Sequence, residues 1–155
     1  MPPELARYLE FMQDLSLARL ADAGSVIADD VEFIDPFNHL RGRHDFVRCL
    51  EDMLAQLADL RITVTHAGLL EPLQAPEAEV WCLRWHFSGK LRRLGHRDWA
   101  VTGMSEVALA ADGRVARHVD FWDAARGLYE ELPGVGAVQR WLRRRLAVAG
   151  VRQLG

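Results

Sequence analysis

The stretch RDWAVTGMSEVALA (97–110), ADG (111–113) and RVARHVDFW (114–122) decides the architecture. Two apolar-rich, alternating runs flank Asp112-Gly113, a dipeptide suited to the tight turn of a β-hairpin. Successive side chains of a strand point to opposite faces. His118, Asp120 and Trp122 therefore share one face, and Val119, Phe121 and Asp123 the other. On the preceding strand, Trp99, Val101, Gly103, Ser105 and Val107 form one set, and Ala100, Thr102, Met104 and Glu106 the opposite one.

Upstream, Val80 to Ser88 splits into a wholly apolar set (Trp81, Leu83, Trp85, Phe87) and a mixed set (Cys82, Arg84, His86, Ser88). The apolar set is expected to face the interior. Arg61 to Leu70 reads as a further strand, and Glu71 to Glu77, with Pro72 and Pro76, as a turn. Leu5, Leu9, Met12, Leu15 and Leu20 recur at helical spacing and predict a helix over 4–22, ended or interrupted by Gly24, with a short helical turn to Ala28. Val31 and Phe33 read as a short strand stopped at Asp35-Pro36, with Asn38 to Gly42 as loop. A second helix is expected over 44–58, with Asp45 in its first turn. Beyond the hairpin, Ala124–Leu132 and Val135–Val148 read as helices broken by Pro133-Gly134. Helices first and then long strands mean α+β, with helices packed on one face of an antiparallel sheet.

At 155 residues, half hydrophobic and 26% charged, the chain has the size and composition of one globular domain. No apolar run approaches the roughly 20 residues of a membrane span. Met1-Pro2-Pro3-Glu4 lacks the basic start of a signal peptide, so a cytoplasmic location is expected. Cys49 and Cys82 form no metal or redox spacing and read as buried thiols. Net charge is −3, but the five arginines after Pro133 meet no acidic residue, leaving 14 basic against 22 acidic side chains in residues 1–133. Such a body repels nucleic acid, while the tail is basic. No histidine–carboxylate spacing suggests a metal, and no glycine-rich phosphate loop or nucleophile elbow is present, so no cofactor is expected.

The segment Ala28-Asp29-Asp30-Val31-Glu32-Phe33-Ile34-Asp35-Pro36, followed by Arg41-Gly42, resembles the corresponding stretch of ketosteroid isomerases and SnoaL-like cyclases of the nuclear transport factor 2-like superfamily. The long strand, the Asp112-Gly113 hairpin and the last strand are similar as well, so the resemblance covers roughly residues 5 to 125. It implies a cone-shaped, curved antiparallel sheet around N-terminal helices, a domain over residues 1–132, and a C-terminal helical extension of the same domain over 133–155. Carried over residue by residue, the isomerase's general base falls on Asp35. Its oxyanion tyrosine falls on Phe11, with Tyr8 nearly one turn earlier, and its oxyanion aspartic acid falls on Ser105. The base position matches and the oxyanion donors do not, so steroid isomerisation by that mechanism is not expected. The resemblance also implies cofactor-independent chemistry and dimerisation through the outer sheet face.

The same resemblance implies that His118, Asp120 and Trp122 occupy pocket-lining positions that are usually apolar in the isomerase, and two ionisable side chains facing a narrow apolar cone are costly unless paired or used. Asp35, His118 and Asp120 are therefore the candidate catalytic group: general base, proton relay and orienting carboxylate. Ser105 is a candidate hydrogen-bond donor to a substrate. Trp81, Trp85, Trp99, Trp122 and Phe11 are candidate walls for a hydrophobic small molecule, with His39 at the mouth. Each has a plainer reading. Asp35-Pro36 serves as a turn, His118–Asp120 as a structural network, and the tryptophans as core. An Asp–Arg–Asp epoxide hydrolase arrangement is not expected, since Arg84 and Arg117 belong to the outward sets. Val135, Val138, Leu142, Leu146 and Ala149 form one helical stripe, with Arg140, Arg143 and Arg144 largely off it, an ordinary solvated amphipathic helix rather than a membrane-surface contact. Three functions follow: an acid–base isomerase, cyclase, dehydratase or hydrolase; a non-catalytic binder of a hydrophobic ligand; or a homodimeric scaffold.

Overall fold

A computed structural model describes residues 1–71 and 79–147. The chain divides after Trp122 into two compact units. The first begins with α1 (Pro3–Gln13), followed by a 3-10 turn (Arg19–Ser25), β1 (Ile27–Ile34), β2 (His39–Arg41) and α2 (Arg43–Gln56). Four long strands complete it: β3 (Leu57–Leu69), β4 (Val80–Leu91), β5 (Arg97–Leu109) and β6 (Val115–Phe121). The sheet is α+β in setting, curved and open, with strand order β2-β1-β6-β5-β4-β3. Every neighbouring pair is antiparallel except β1 and β6, which run parallel. Bulges in β3, between Ala58 and Arg61 and between Val64 and His66, bend that edge strand.

Several boundaries differ from the sequence expectation. The first helix stops at Gln13 rather than 22, because Asp14 leaves helical geometry and the chain resumes as a 3-10 turn. Gln13 then accepts the Val64 N–H of the edge strand at 3.0 Å. Residues 27 and 28 are strand where the helical turn to Ala28 was expected, so β1 starts four residues before Val31, and residues 39–41 pair with β1 instead of forming loop. The turn over 71–77 lies outside the described residues apart from Glu71. The expected hairpin is present: Gly113 has φ +82°, Ala110 and Arg114 share a backbone bond of 2.7 Å, and Asp112 Oδ1 accepts the Arg114 N–H.

The core lies between the helices and the inner face of the sheet. Leu5, Tyr8, Leu9 and Phe11 of α1 and Phe46 and Leu50 of α2 are buried with Val31, Phe33, Leu83, Val107 and Val115. β4 alternates as expected: Leu83 and Trp85 are buried, whereas Arg84 and His86 are exposed. Trp85 pairs with Gly103 across β4 and β5, and a Cβ at position 103 would lie 2.4 Å from the indole. Only glycine lets the ring cross that strand.

The second unit starts at Asp123, whose carboxylate caps α3 (Ala124–Gly127) by accepting the Arg126 N–H. A 3-10 turn (Tyr129–Glu131) and α4 (Val135–Leu146) follow, so the helix expected over 124–132 is broken at Leu128. Glu130 binds Arg140 through its carbonyl and Arg143 through its carboxylate. Among the described residues no helix is long and apolar enough to cross a membrane.

Gly103→Ala should overpack the Trp85 site and lower stability by about 1–3 kcal/mol in urea unfolding. An unchanged midpoint would contradict the placement of the indole.

Candidate active site

Strand register assembles a polar chain on the inner face. Val107 pairs with His118 and Ser105 with Asp120 across β5 and β6. Ser105 also pairs with Leu83 of β4, two positions from the Trp85–Gly103 row and on the same face. On the other flank Phe33 pairs with His118 and the rings lie 5.6 Å apart. That parallel pairing ends at Ile34–Val119, and Asp35 and Asp120 each follow directly on one of its two members.

Four hydrogen bonds link five side chains. Trp85 Nε1–H donates to Ser105 Oγ at 2.7 Å, and the Ser105 hydroxyl donates to Asp120 Oδ1 at 2.5 Å. His118 Nε2 lies 2.8 Å from the same Asp120 oxygen, and Tyr8 Oη lies 2.6 Å from His118 Nδ1. Burial, with the charge of Asp120 adding to it, pushes the Tyr8 phenol well above its ordinary value, so it stays protonated. Tyr8 and Ser105 are each 1% exposed. The side chain of Asp120 keeps 22% of its surface, against 5% for His118. Asp120, the central member, is thus the accessible point of an otherwise buried network.

Aromatic rings lead away from that carboxylate. Trp85, Phe87, Trp99, Trp122 and Phe37 follow one another edge to face, with centroids 6.4, 5.4, 6.1 and 5.5 Å apart. Trp81 packs against the core, and Phe11 is buried and stacked on Tyr8, so these two back the site. A shallow cleft of about 410 Å³ borders Trp99 beside Lys90, Asp98 and Ala100, and its lining does not include Asp120.

The other candidates sit differently. Asp35 Oδ1 accepts the backbone N–H groups of Phe37 and Asn38 at 2.7 and 2.6 Å, and both oxygens receive the Asn38 amide at 3.1 Å. It is fastened into its own turn. His39 lies on the outer face, bonded to Glu32 at 2.9 Å, while Glu32 also takes Arg117 at 3.0 Å. The His39 and Arg117 bonds hold the Glu32 carboxyl below its ordinary value. Arg84 is exposed and bonds Thr65, so neither arginine of the outward sets enters the site. Cys49 of α2 is near both inner carboxylates: burial pushes its thiol up to about 11, with Asp35, Asp52 and Asp120 adding to the shift. No three His, Cys, Asp or Glu side chains cluster to hold a metal among the described residues.

Tyr8 is the member that the sequence reading passed over. It lies on the Leu5–Leu9–Met12 stripe, and a tyrosine on a buried stripe needs a partner for its hydroxyl. That requirement was the available signal, although nothing local names His118, 110 residues away, as the partner.

An open curved sheet packed against two N-terminal helices is the architecture of NTF2-like proteins. The chain belongs to the SnoaL-like domain family, whose model matches residues 5–118. Tyr8, Ser105 and His118 fall within that match, and Asp120 and Trp122 lie just past it. Among solved structures, an NTF2-like protein of unknown function from Exiguobacterium sp. 255-15 is 16% identical, covering 77% of this chain and 98% of its own, with a TM-score of 0.64. TsrD from Streptomyces laurentii is 17% identical over 86% of this chain and 97% of its own, at 0.64. An LEH-like epoxide hydrolase from M. tuberculosis is 13% identical over 94% of both chains, at 0.61. At such identities the likeness shows the fold alone. No curated protein sequence matches the chain.

The raised Tyr8 value has a measurable consequence. The unfolded chain ionises Tyr8 near 10.0 while the folded chain keeps the proton, so this contribution to stability is whole below pH 10 and lost as pH rises above it. Urea midpoints should therefore fall more steeply above pH 10 in the wild type than in Tyr8→Phe. Equal alkaline slopes would contradict the burial of the phenol.

Proposed function

We propose that this chain is a cofactor-independent acid–base catalyst acting on an apolar, ring-containing small molecule, with Asp120 as the group that accepts and returns the proton. One observation carries this: a partly accessible carboxylate is held on a single oxygen by Ser105 and His118, at the foot of an aromatic wall. Fixing Oδ1 in this way leaves Oδ2 to meet a substrate. The balanced step is simple. Asp120 Oδ2 takes a proton from a carbon beside a carbonyl, leaving an enolate, and returns the proton at another carbon or to a leaving oxygen. Isomerisation, ring closure and dehydration share this step.

The geometry supports a redistribution of the roles expected from sequence. Asp35 accepts four hydrogen bonds in its own turn, which supports a structural role. His118 has both nitrogens engaged and no route to solvent, so it orients Asp120 rather than relaying protons outward. Epoxide opening assisted by an arginine draws no support, since Arg84 and Arg117 are engaged on the outer face. Non-catalytic binding of a hydrophobic ligand is the second reading, favoured by the aromatic wall alone.

A reporter for this chemistry is 5-nitrobenzisoxazole, whose ring opens when one carbon-bound proton is removed. Asp120→Asn should slow that opening by about 10²–10⁴-fold. Asp35→Asn, whose amide oxygen still accepts the turn hydrogens, should keep most of the rate. Equal rates for wild type and Asp120→Asn would leave the binding module as the surviving reading.

A homodimer through the outer sheet face belongs to the same proposal. Met104 and Phe121 are cross-strand partners there and are 46% and 52% exposed. Light scattering at micromolar concentration should give twice the 17.5 kDa chain mass, and a monomer would count against it.

A further inference from the structure

The polar network is directional, and the direction is set at its buried end. Tyr8 is 1% exposed, and its hydroxyl has a single hydrogen-bond partner among the described residues, His118 Nδ1 at 2.6 Å. A buried hydroxyl that accepts without donating leaves its own hydrogen unsatisfied, which costs as much as a lost hydrogen bond. Tyr8 therefore donates. Nδ1 must then carry a lone pair, which makes His118 the Nε2–H tautomer. That N–H points at Asp120 Oδ1, 2.8 Å away. The opposite tautomer would set two lone pairs against each other at that distance, or require the proton to reside on Oδ1.

We propose that Tyr8 is a positioning residue for Asp120: by donating to His118 Nδ1 it fixes the imidazole tautomer that keeps Asp120 Oδ1 an acceptor, so that proton exchange with a ligand is confined to Oδ2. Ser105 closes the same oxygen from the other side, itself oriented by the Trp85 N–H. Tyr8 touches no ligand in this arrangement. It acts through His118, and every donor in the chain is directed toward one carboxylate oxygen.

The kinetic part of this inference rests on Asp120 being the proton acceptor, whereas the tautomer does not, so the two are tested separately. Long-range proton–nitrogen correlation spectra of protein with ¹⁵N-labelled histidine report which ring nitrogen of His118 is protonated. The wild type should show Nε2–H alone, and Tyr8→Phe should show a mixture of tautomers. With 5-nitrobenzisoxazole, Tyr8→Phe should lower kcat about tenfold, the loss of one hydrogen bond at the transition state, with KM unchanged. In a His118→Ala background the same substitution should cost nothing further, because the pathway is already cut. An Nδ1–H signal in the wild type overturns the proposal, as does an unchanged tautomer in Tyr8→Phe. Additive losses in the double variant overturn the coupling through His118. An Nε2–H wild-type signal with an inactive reporter assay keeps the tautomer assignment and removes the catalytic reading alone.

Discussion

Ser105 and Asp120 face each other across β5 and β6, and the hydrogen bond between them ties the two halves of the inner surface together. On one side the bond chain runs through Trp85 into β4; on the other it runs through His118 into α1. The register that makes this pair also sets Val107 beside His118. A slip of β6 by one residue would turn His118 and Asp120 outward and part them from Ser105 of β5, because side chains alternate strictly along a strand. The Asp112-Gly113 turn and the Trp85–Gly103 contact both hold that register.

Placing five polar groups inside a hydrophobic core is tolerable only when each is satisfied. Here each member finds a partner, and the one formal negative charge keeps contact with the surface. The charged pairs of the strands lie elsewhere: Glu32, Glu106 and Arg117 meet on the outer face, and Asp29 meets Arg43 and Arg114. The molecule thus separates solvated ion pairs, worth little individually, from a hydrogen-bonded network around a single carboxylate. Among the described residues, Asp120 is the carboxylate that joins Ser105 to His118 within that network.

Much of this was legible in the sequence. Alternation sorted His118, Asp120 and Trp122 onto one face of their strand and Ser105 with Trp99 onto one face of theirs, and the family resemblance supplied which of those faces points inward. The α+β class followed from the order of helices and strands. Other features were hidden because they depend on distant partners. The parallel pairing of β1 with β6 joins residues some 85 apart, as the Phe33–His118 pair shows, and no local pattern encodes it. The same pairing made Ile27 and Ala28 strand where a helical turn was expected to run to Ala28. Asp35 looked like a base by its place before a proline, but the amide of Asn38, three residues on, makes it a turn residue. His39 seemed to border the mouth until the short strand β2 fixed it beside Glu32 outside. Tyr8 needed a partner that only the folded chain supplies.

The central claim is that a ligand meets Asp120 through Oδ2 against the aromatic wall. A crystal structure with 5-nitrobenzotriazole, a stable planar mimic that presents an N–H where the reporter substrate presents a C–H, tests it most directly. The account requires that N–H within hydrogen-bonding distance of Asp120 Oδ2, with the ring lying against Trp122 and Trp99. A ring bound instead in the cleft beside Lys90 and Asp98, with Asp120 untouched, would contradict it.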